Sequence, residues 1–455
     1  MKTAMTTEER RVQMLETPVE KLITTLAIPT TISMLITSIY NMADTYFVSQ
    51  LGTSASGAVG IIFSLMALIQ AISFMLGMGS GNQVAMALGN KEESRAKTLV
   101  ATAFFTAVGI GVLFLVLGNI MGEKLVYLLG STETIAPYAL DYMRYILLAA
   151  PFMMGSLVMN NLLRAQGNAM HAMFGIGFGG ILNMILDPIF IFVCGMGISG
   201  AGLATMTSQI LSFFILFYQC NSRKDNVSIL WNEFKPTKKL YGTIFYVGSP
   251  SLCRQGLQSV AMIVLNYVAA PFGDAAIAAL SIVSKIATFI YSALIGFGQG
   301  FQPVCGYNYG AKRYDRVLQG FWFCVKVGTI LLTVLAILGF IVSQPLITAF
   351  RADDAEVIRI GVKALRYQLV LFPFLAWFVM NNMLSQSIGY GVRASLVAMS
   401  RQGIFFIPCA LIFPSLLGEA GLYIIQPVAD VFSLVMATAV GVSIIRELKG
   451  KMKED

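Results

Sequence analysis

Charge is what this sequence lacks. Only 12% of its 455 residues are charged, against 56% hydrophobic, and the mean hydropathy is +0.74. A soluble globular chain carries about 25% charged residues. With half that share a water-facing surface cannot be covered, so soluble classes are excluded and the membrane class is left. Histidine is almost missing too. The single one, His171, falls in a short loop and reads as structural or neutral. The six cysteines (Cys194, Cys220, Cys253, Cys305, Cys324 and Cys409) are scattered, with no CxxC and no metal-ligand spacing, and read as small apolar side chains. An integral-membrane enzyme needs a nucleophile or metal cluster at one interface, so this poverty speaks against an enzyme. The glycine-rich runs 77–89 and 298–310 do not match G-x-x-x-x-G-K-[ST], which argues against nucleotide drive.

What is present is long apolar stretches, such as 101–120 and 178–193. A spanning helix needs roughly 20 apolar residues, whereas a membrane barrel would show short alternating strands. Forty-two glycines suit close helix packing in lipid. The hydropathy pattern predicts an all-α membrane protein of twelve spans, near 25–49, 57–88, 98–120, 137–163, 169–194, 199–220, 241–271, 276–306, 317–346, 356–385, 393–416 and 420–445. The first apolar run starts near Leu22 and is far longer than a signal-peptide core, so it reads as the first helix. Cations alternate between the connections. One side holds those of 2–21, 91–97, 221–240, 312–316 and 446–453, with Arg164 and Arg393; the other holds only Lys124 and Arg351. The positive-inside rule then puts both termini in the cytoplasm, in the inner membrane of a prokaryote. The net charge of +8 is thereby an orientation signal and implies no nucleic acid.

The chain repeats itself. At an offset of 221, Pro29 matches Pro250, Tyr46 matches Tyr267, Gly52 matches Gly273, Gly77 and Gly79 match Gly298 and Gly300, and Gly89, Lys91 and Arg95 match Gly310, Lys312 and Arg316. The run Arg144-Tyr145 through Pro151-Phe152 matches Arg366-Tyr367 through Pro373-Phe374 at 222, and Val-Met-Asn-Asn recurs at 158–161 and 379–382. Each half has an even number of spans, so the repeats are parallel, a transporter architecture with the substrate site between halves. The expected domains are an N-terminal lobe (1–220), a basic cytoplasmic linker (221–240) and a C-terminal lobe (241–455), as a monomer embedded in membrane lipid.

An acid inside a span marks a functional site by default. Asp44 lies roughly 9 Å and Asp187 roughly 12 Å below the outer helix ends, at 1.5 Å per residue. Thr37, Asn41 and Asp44 share one helix face, and so do Asn183 and Asp187. Pro188 frees the carbonyl of Met184, and Thr205 and Tyr142 fall at similar depth. Two carboxylates in a poor dielectric require that one be protonated or that a hard cation bind both. All-oxygen ligands favour Na⁺ over a transition metal. The plain alternative is a satisfied polar network that only holds helices together.

The segment Pro29-x₁₁-Asn41-x₂-Asp44, the run Asn183-x-x-Leu186-Asp187-Pro188 and the twofold six-helix repeat resemble the multidrug and toxic compound extrusion (MATE) family over essentially the whole chain. The resemblance implies a V-shaped, two-lobed antiporter that exports amphipathic organic cations in exchange for Na⁺ or H⁺. It needs no cofactor beyond the coupling ion, held at Asp44, Asn183, Asp187 and Thr205 with Tyr142 nearby. Gln258 stands where NorM-like members carry an acid in the seventh helix, and the tenth helix, between Gln368 and Gln386, has none. The pattern is closer to DinF-like and MepA-like members.

Besides the enzyme set aside above, two other functions compete. A lipid-linked saccharide flippase, the runner-up, would want a basic central cavity and often two extra helices, and no extra helices are counted. A channel suits two unlike lobes poorly. A drug cavity could draw on the 25 Met and 31 Phe, most of which serve packing and lipid contact. In the C-terminal half, Lys285 and Asp430 share a depth of roughly 14 Å and are expected to pair. Arg254 is deeper and is expected to face the central cavity.

Overall fold

The computed structural model describes residues 6–222, 225–351 and 354–454. Lys2, Arg223 and Lys224 of the basic set lie outside them. A short capped helix, α1 (Thr7–Glu16), precedes the bundle. Its cap is reciprocal: Thr6 accepts from the Glu9 N–H while the Glu9 carboxylate accepts from the Thr6 N–H. The first half is α2 (Val19–Ser49), α3 (Thr53–Gly89), α4 (Glu93–Leu128), α5 (Ala136–Ala165), α6 (Ala169–Pro188) and α7 (Gly197–Ser222). The second half is α8 (Lys238–Ala269), α9 (Asp274–Gly310), α10 (Tyr314–Ile341), α11 (Ser343–Phe350), α12 (Ala355–Leu369), α13 (Phe372–Ser387), α14 (Gly391–Met399), α15 (Phe406–Leu417) and α16 (Glu419–Glu454). His171 lies in the first turn of α6 rather than in a loop.

Ten of these stretches are long and apolar enough to cross a membrane, counting α14–α15 as one. The pair α12 and α13 makes an eleventh, bent by 56°. The twelfth traverse is α8, 32 residues long and interrupted by Arg254, Gln255 and Gln258. The expected single helix over 356–385 is therefore broken. Pro373 has no N–H to offer the Leu369 carbonyl, and α12 ends at that residue. The matching Pro151 stays inside a continuous α5, with Gly111 of α4 packed on its backbone.

The two halves form two lobes whose backbones mirror each other closely. Lys91 and Lys312 both adopt positive φ, 62° and 59°, just beyond the ends of α3 and α9. Each turn is closed by a hydrogen bond from the next residue back over five positions, Glu92 to Ala87 and Arg313 to Asn308, both 2.8 Å. The lobes meet across α3 and α9 reciprocally. A methyl group on Gly89 would lie 2.2 Å from the Tyr307 carbonyl oxygen, and one on Gly310 would lie 2.1 Å from that of Met86. A methyl group on Gly79 would likewise lie 2.2 Å from the Ile244 carbonyl oxygen of α8, and one on Gly300 would lie 2.5 Å from the backbone of Ala27 in α2. All these approaches lie in the halves of the helices nearer the chain termini. Toward the other end the lobes leave a cavity between them.

Backbone-on-backbone packing of this kind has no side chain that can yield. Gly79→Ala and Gly310→Ala should each cost about 1–3 kcal/mol, as overpacking does. Gly109→Ala, with nothing within 4 Å, should be neutral. Thermal unfolding in detergent measures this; equal melting temperatures for all three variants would refute the contact.

Candidate functional site

The N-terminal lobe gathers its polar residues from four helices. Tyr40 and Asp44 come from α2, Tyr142 from α5, Asn183 and Asp187 from α6, and Thr205 from α7. The Asn183 amide donates to Asp187 Oδ1 at 3.3 Å and to Thr205 Oγ1 at 3.4 Å. Asp187 is completely buried, and Asn183, Thr205 and Tyr142 are nearly so. Asp44 is close enough to act electrostatically on Asp187, and both carboxylates act on Tyr40 and Tyr142. Among the described residues, Asp44 Oδ1, Asn183 Oδ1 and Asp187 Oδ2 are buried without a hydrogen-bond partner. A buried oxygen left so carries a desolvation cost. Three of them in one cluster of hard donors fit a proton or an alkali cation. After Pro188 the chain continues as a π-helical turn, 189–193, a deviation that recurs at functional sites.

Thr37 and Asn41 do not join this cluster. They line the central cavity, and the Thr37 hydroxyl is turned to the Ser33 carbonyl at 2.9 Å. Tyr40 is an addition. It lines the cavity and packs at Gly180, so it stands between cavity and carboxylates. Its spacing of four from Asp44 was the available signal.

In the C-terminal lobe the expected partner of Asp430 is wrong. Asp430 accepts from Arg401 Nε at 2.9 Å and from Gln426 Nε2 at 2.7 Å. Lys285 is exposed, while its neighbour Ser284 lines the cavity and Ile286 is buried. Equal depth fixes height along a helix but not azimuth, and one residue turns the face by about 100°. Arg401 sits in a π-helical turn, 400–404, with its guanidinium over the Tyr291 ring at 4.9 Å.

The cavity between the lobes measures about 350 Å³. Arg254 lines it as expected. So do Arg401 and Arg164, the latter counted above among loop cations but buried, with bonds to Gln299 of α9 and to Asn161. Eight glutamines and no Asp, Glu or Lys share the wall with these three arginines. The wall is thus basic, a property not expected from the spacing of charges.

Removing one partner of a buried ion pair costs about 3–5 kcal/mol, because the other charge is stranded. Asp430→Ala should therefore lower the unfolding temperature strongly, and Arg401→Met added to it should recover much of the loss. Lys285→Ala should fall within about 0.5 kcal/mol of wild type, as exposed substitutions do. An Asp430→Ala protein as stable as Lys285→Ala would contradict the pairing.

The MatE family profile matches the chain twice, over residues 29–189 and 250–412, with starts separated by the offset of the internal repeat. The multidrug export protein MepA of Staphylococcus aureus (strain MRSA252) is 27% identical over 413 residues, covering 89% of this chain and 90% of that protein. MepA of Staphylococcus saprophyticus is 26% identical over 402 residues, covering 87% of each. Among solved structures, a MATE transporter in complex with MaL6 superposes with a TM-score of 0.92 at 25% identity, over 96% of this chain and 99% of that one. An outward-facing multidrug resistance MATE transporter gives 0.91 at 25% identity, over 96% and 98%. A MOP-superfamily transporter from Pyrococcus furiosus, described as having a binding pocket of reversed polarity, gives 0.90 at 26%, over 96% and 98%. With two lobes, a cavity between them and both halves of the chain matched by one profile, this multi-pass membrane protein belongs to the MatE family of multidrug and toxic compound extrusion transporters.

Proposed function

We propose that the protein is a secondary active multidrug exporter in which the N-terminal carboxylates take up a coupling cation, Na⁺ or H⁺, in exchange for a small amphipathic molecule. The observation that carries this reading is the fully buried Asp187, facing Asp44 with unpartnered oxygens beside the cavity wall. Like charges so placed repel, and neutralising them lowers that repulsion. Tyr40 and the cavity-facing side of α2 couple that event to the space between the lobes. A cation that favours one arrangement of the lobes and a drug that favours the other would drive alternating access. Amphipathic organic cations are the substrate class the family resemblance implies. The lipid-linked saccharide alternative is not favoured, since MepA, a multidrug export protein, aligns over nearly nine-tenths of the chain.

Asp44→Asn and Asp187→Asn should each abolish gradient-driven ethidium efflux from proteoliposomes while the protein still inserts. Each keeps the shape and loses the charge. Asn183→Ala and Thr205→Ala remove one neutral ligand each, about 0.5–1.5 kcal/mol, and should weaken coupling about tenfold or less. Wild-type efflux from both acid variants would end this reading.

The basic connections support an inner-membrane orientation with both termini and the linker in the cytoplasm. Cysteines placed by Lys235→Cys and Asp274→Cys should then label from opposite sides, the second from outside intact cells. Labelling of both from one side would refute the orientation.

A further inference from the structure

Arginine 164 and Arg254 face the same cavity from opposite lobes, one on α5 and one on α8, close enough to act on each other electrostatically. Neither has a carboxylate partner among the described residues. Among the described residues Arg164 is held by neutral groups, Gln299, Asn161 and the Met78 sulfur at 3.8 Å. A third guanidinium, Arg401, is balanced by Asp430. Taking a guanidinium out of water costs several kcal/mol unless a counter-charge meets it. Here two of like sign confront each other where the lobes converge. Among the described residues no acid lines the cavity: Asp44 and Asp187 lie behind Tyr40, and Asp430 lies behind Arg401.

We propose that the space between Arg164 and Arg254 is a subsite for the anionic group of an amphipathic substrate, so that small aromatic carboxylates are cargo of this cavity. The proposal rests on the exporter reading and deepens it. A carboxylate there receives charge-assisted hydrogen bonds from both lobes, and guanidinium presents the planar fork that suits it. Its apolar body lies along the uncharged remainder of a cavity of about 350 Å³, within the range of about 300–1,000 Å³ typical of sites for drug-sized ligands. A ligand that touches both lobes also favours the arrangement in which they approach, which is what a transported molecule must do. The subsite would serve a zwitterion equally, through its acidic end.

The test uses a matched pair of probes, dansylglycine and its carboxamide, which share shape and differ in one negative charge. Binding to the purified full-length protein is read by dansyl fluorescence, with protein-free micelles subtracted. The acid should bind about tenfold or more tightly than the amide, a preference of the size one charged hydrogen-bonded contact supplies. Arg254→Gln should bring that ratio close to one, and Arg254→Lys should keep part of it. Arg254 has no ion-pair partner among the described residues, so its loss strands no acid; circular dichroism and unfolding temperature check that the variant folds. A wild-type ratio near one, or an unchanged ratio in Arg254→Gln, overturns the proposal. The same titration in phosphatidylglycerol and phosphatidylcholine nanodiscs separates sources of the anion. Loss of the acid preference in the anionic lipid alone would assign the site to a lipid phosphate and overturn the carboxylate cargo. Ethidium efflux under an ion gradient, measured on the wild type alongside, reports separately on the exporter reading.

Discussion

A charge inside an apolar layer must meet an opposite charge, a bound ion or water, and this one requirement organises the polar interior of the protein. The C-terminal lobe meets it internally, with Asp430 against Arg401 and Gln426. The N-terminal lobe does not: Asp187 is bonded to Asn183, which also reaches Thr205, while Asp44 Oδ1 and Asp187 Oδ2 have no partner among the described residues. The cavity floor leaves the opposite sign unmatched, in Arg164 and Arg254. The two unbalanced sites thus have opposite sign and are separated by the Tyr40 wall, so under the proposed exchange a coupling cation and an acidic group would not compete for one place.

Much of the architecture was legible in the residues because it rests on long-range averages. Hydropathy over twenty residues does not depend on which way any side chain points, and neither does an offset repeated a dozen times. Asp187 with Asn183 and Thr205 was legible for a different reason: an intramembrane acid four residues from an amide on one helix must share a face with it. The failures are all failures of azimuth or of boundary. Lys285 and Asp430 have equal depth and different faces. Arg164 stands at the last turn of α5, where a helix end and a loop look alike in sequence but burial differs completely. Arg401 obeyed the same rule that singled out Asp44, and its role became visible only once α9 and α16 brought Tyr291 and Asp430 to it.

The twofold relation between the lobes is a relation of backbones. Left-handed Lys91 and Lys312, and the reciprocal seats of Gly89 and Gly310, repeat almost without change. Side chains at equivalent places diverge. At the offset of 222 that relates α5 to α13, Arg164 corresponds to Gln386, which donates to the Val247 carbonyl and the Ser251 hydroxyl, both at 3.0 Å. A duplicated scaffold has thus kept its contacts and divided its chemistry.

Residues 225–234 of the linker pack on the N-terminal lobe. Asp225 is bonded to Arg10 at 2.7 Å, and Trp231 and Phe234 pack edge-to-face against Phe105 of α4, ring centres 4.7 and 5.7 Å away. Only three residues, all exposed, lie between that aromatic pair and α8: Lys235 (paired with Glu233), Pro236, and Thr237, which caps the helix. Three residues reach about 10 Å at full extension. So short a tether keeps the start of α8 within about that distance of the aromatic pair on α4, at one corner of the bundle. A parting of the lobes beyond that reach would first have to peel the aromatic pair off α4, so the linker is built as a mechanical stop at this corner.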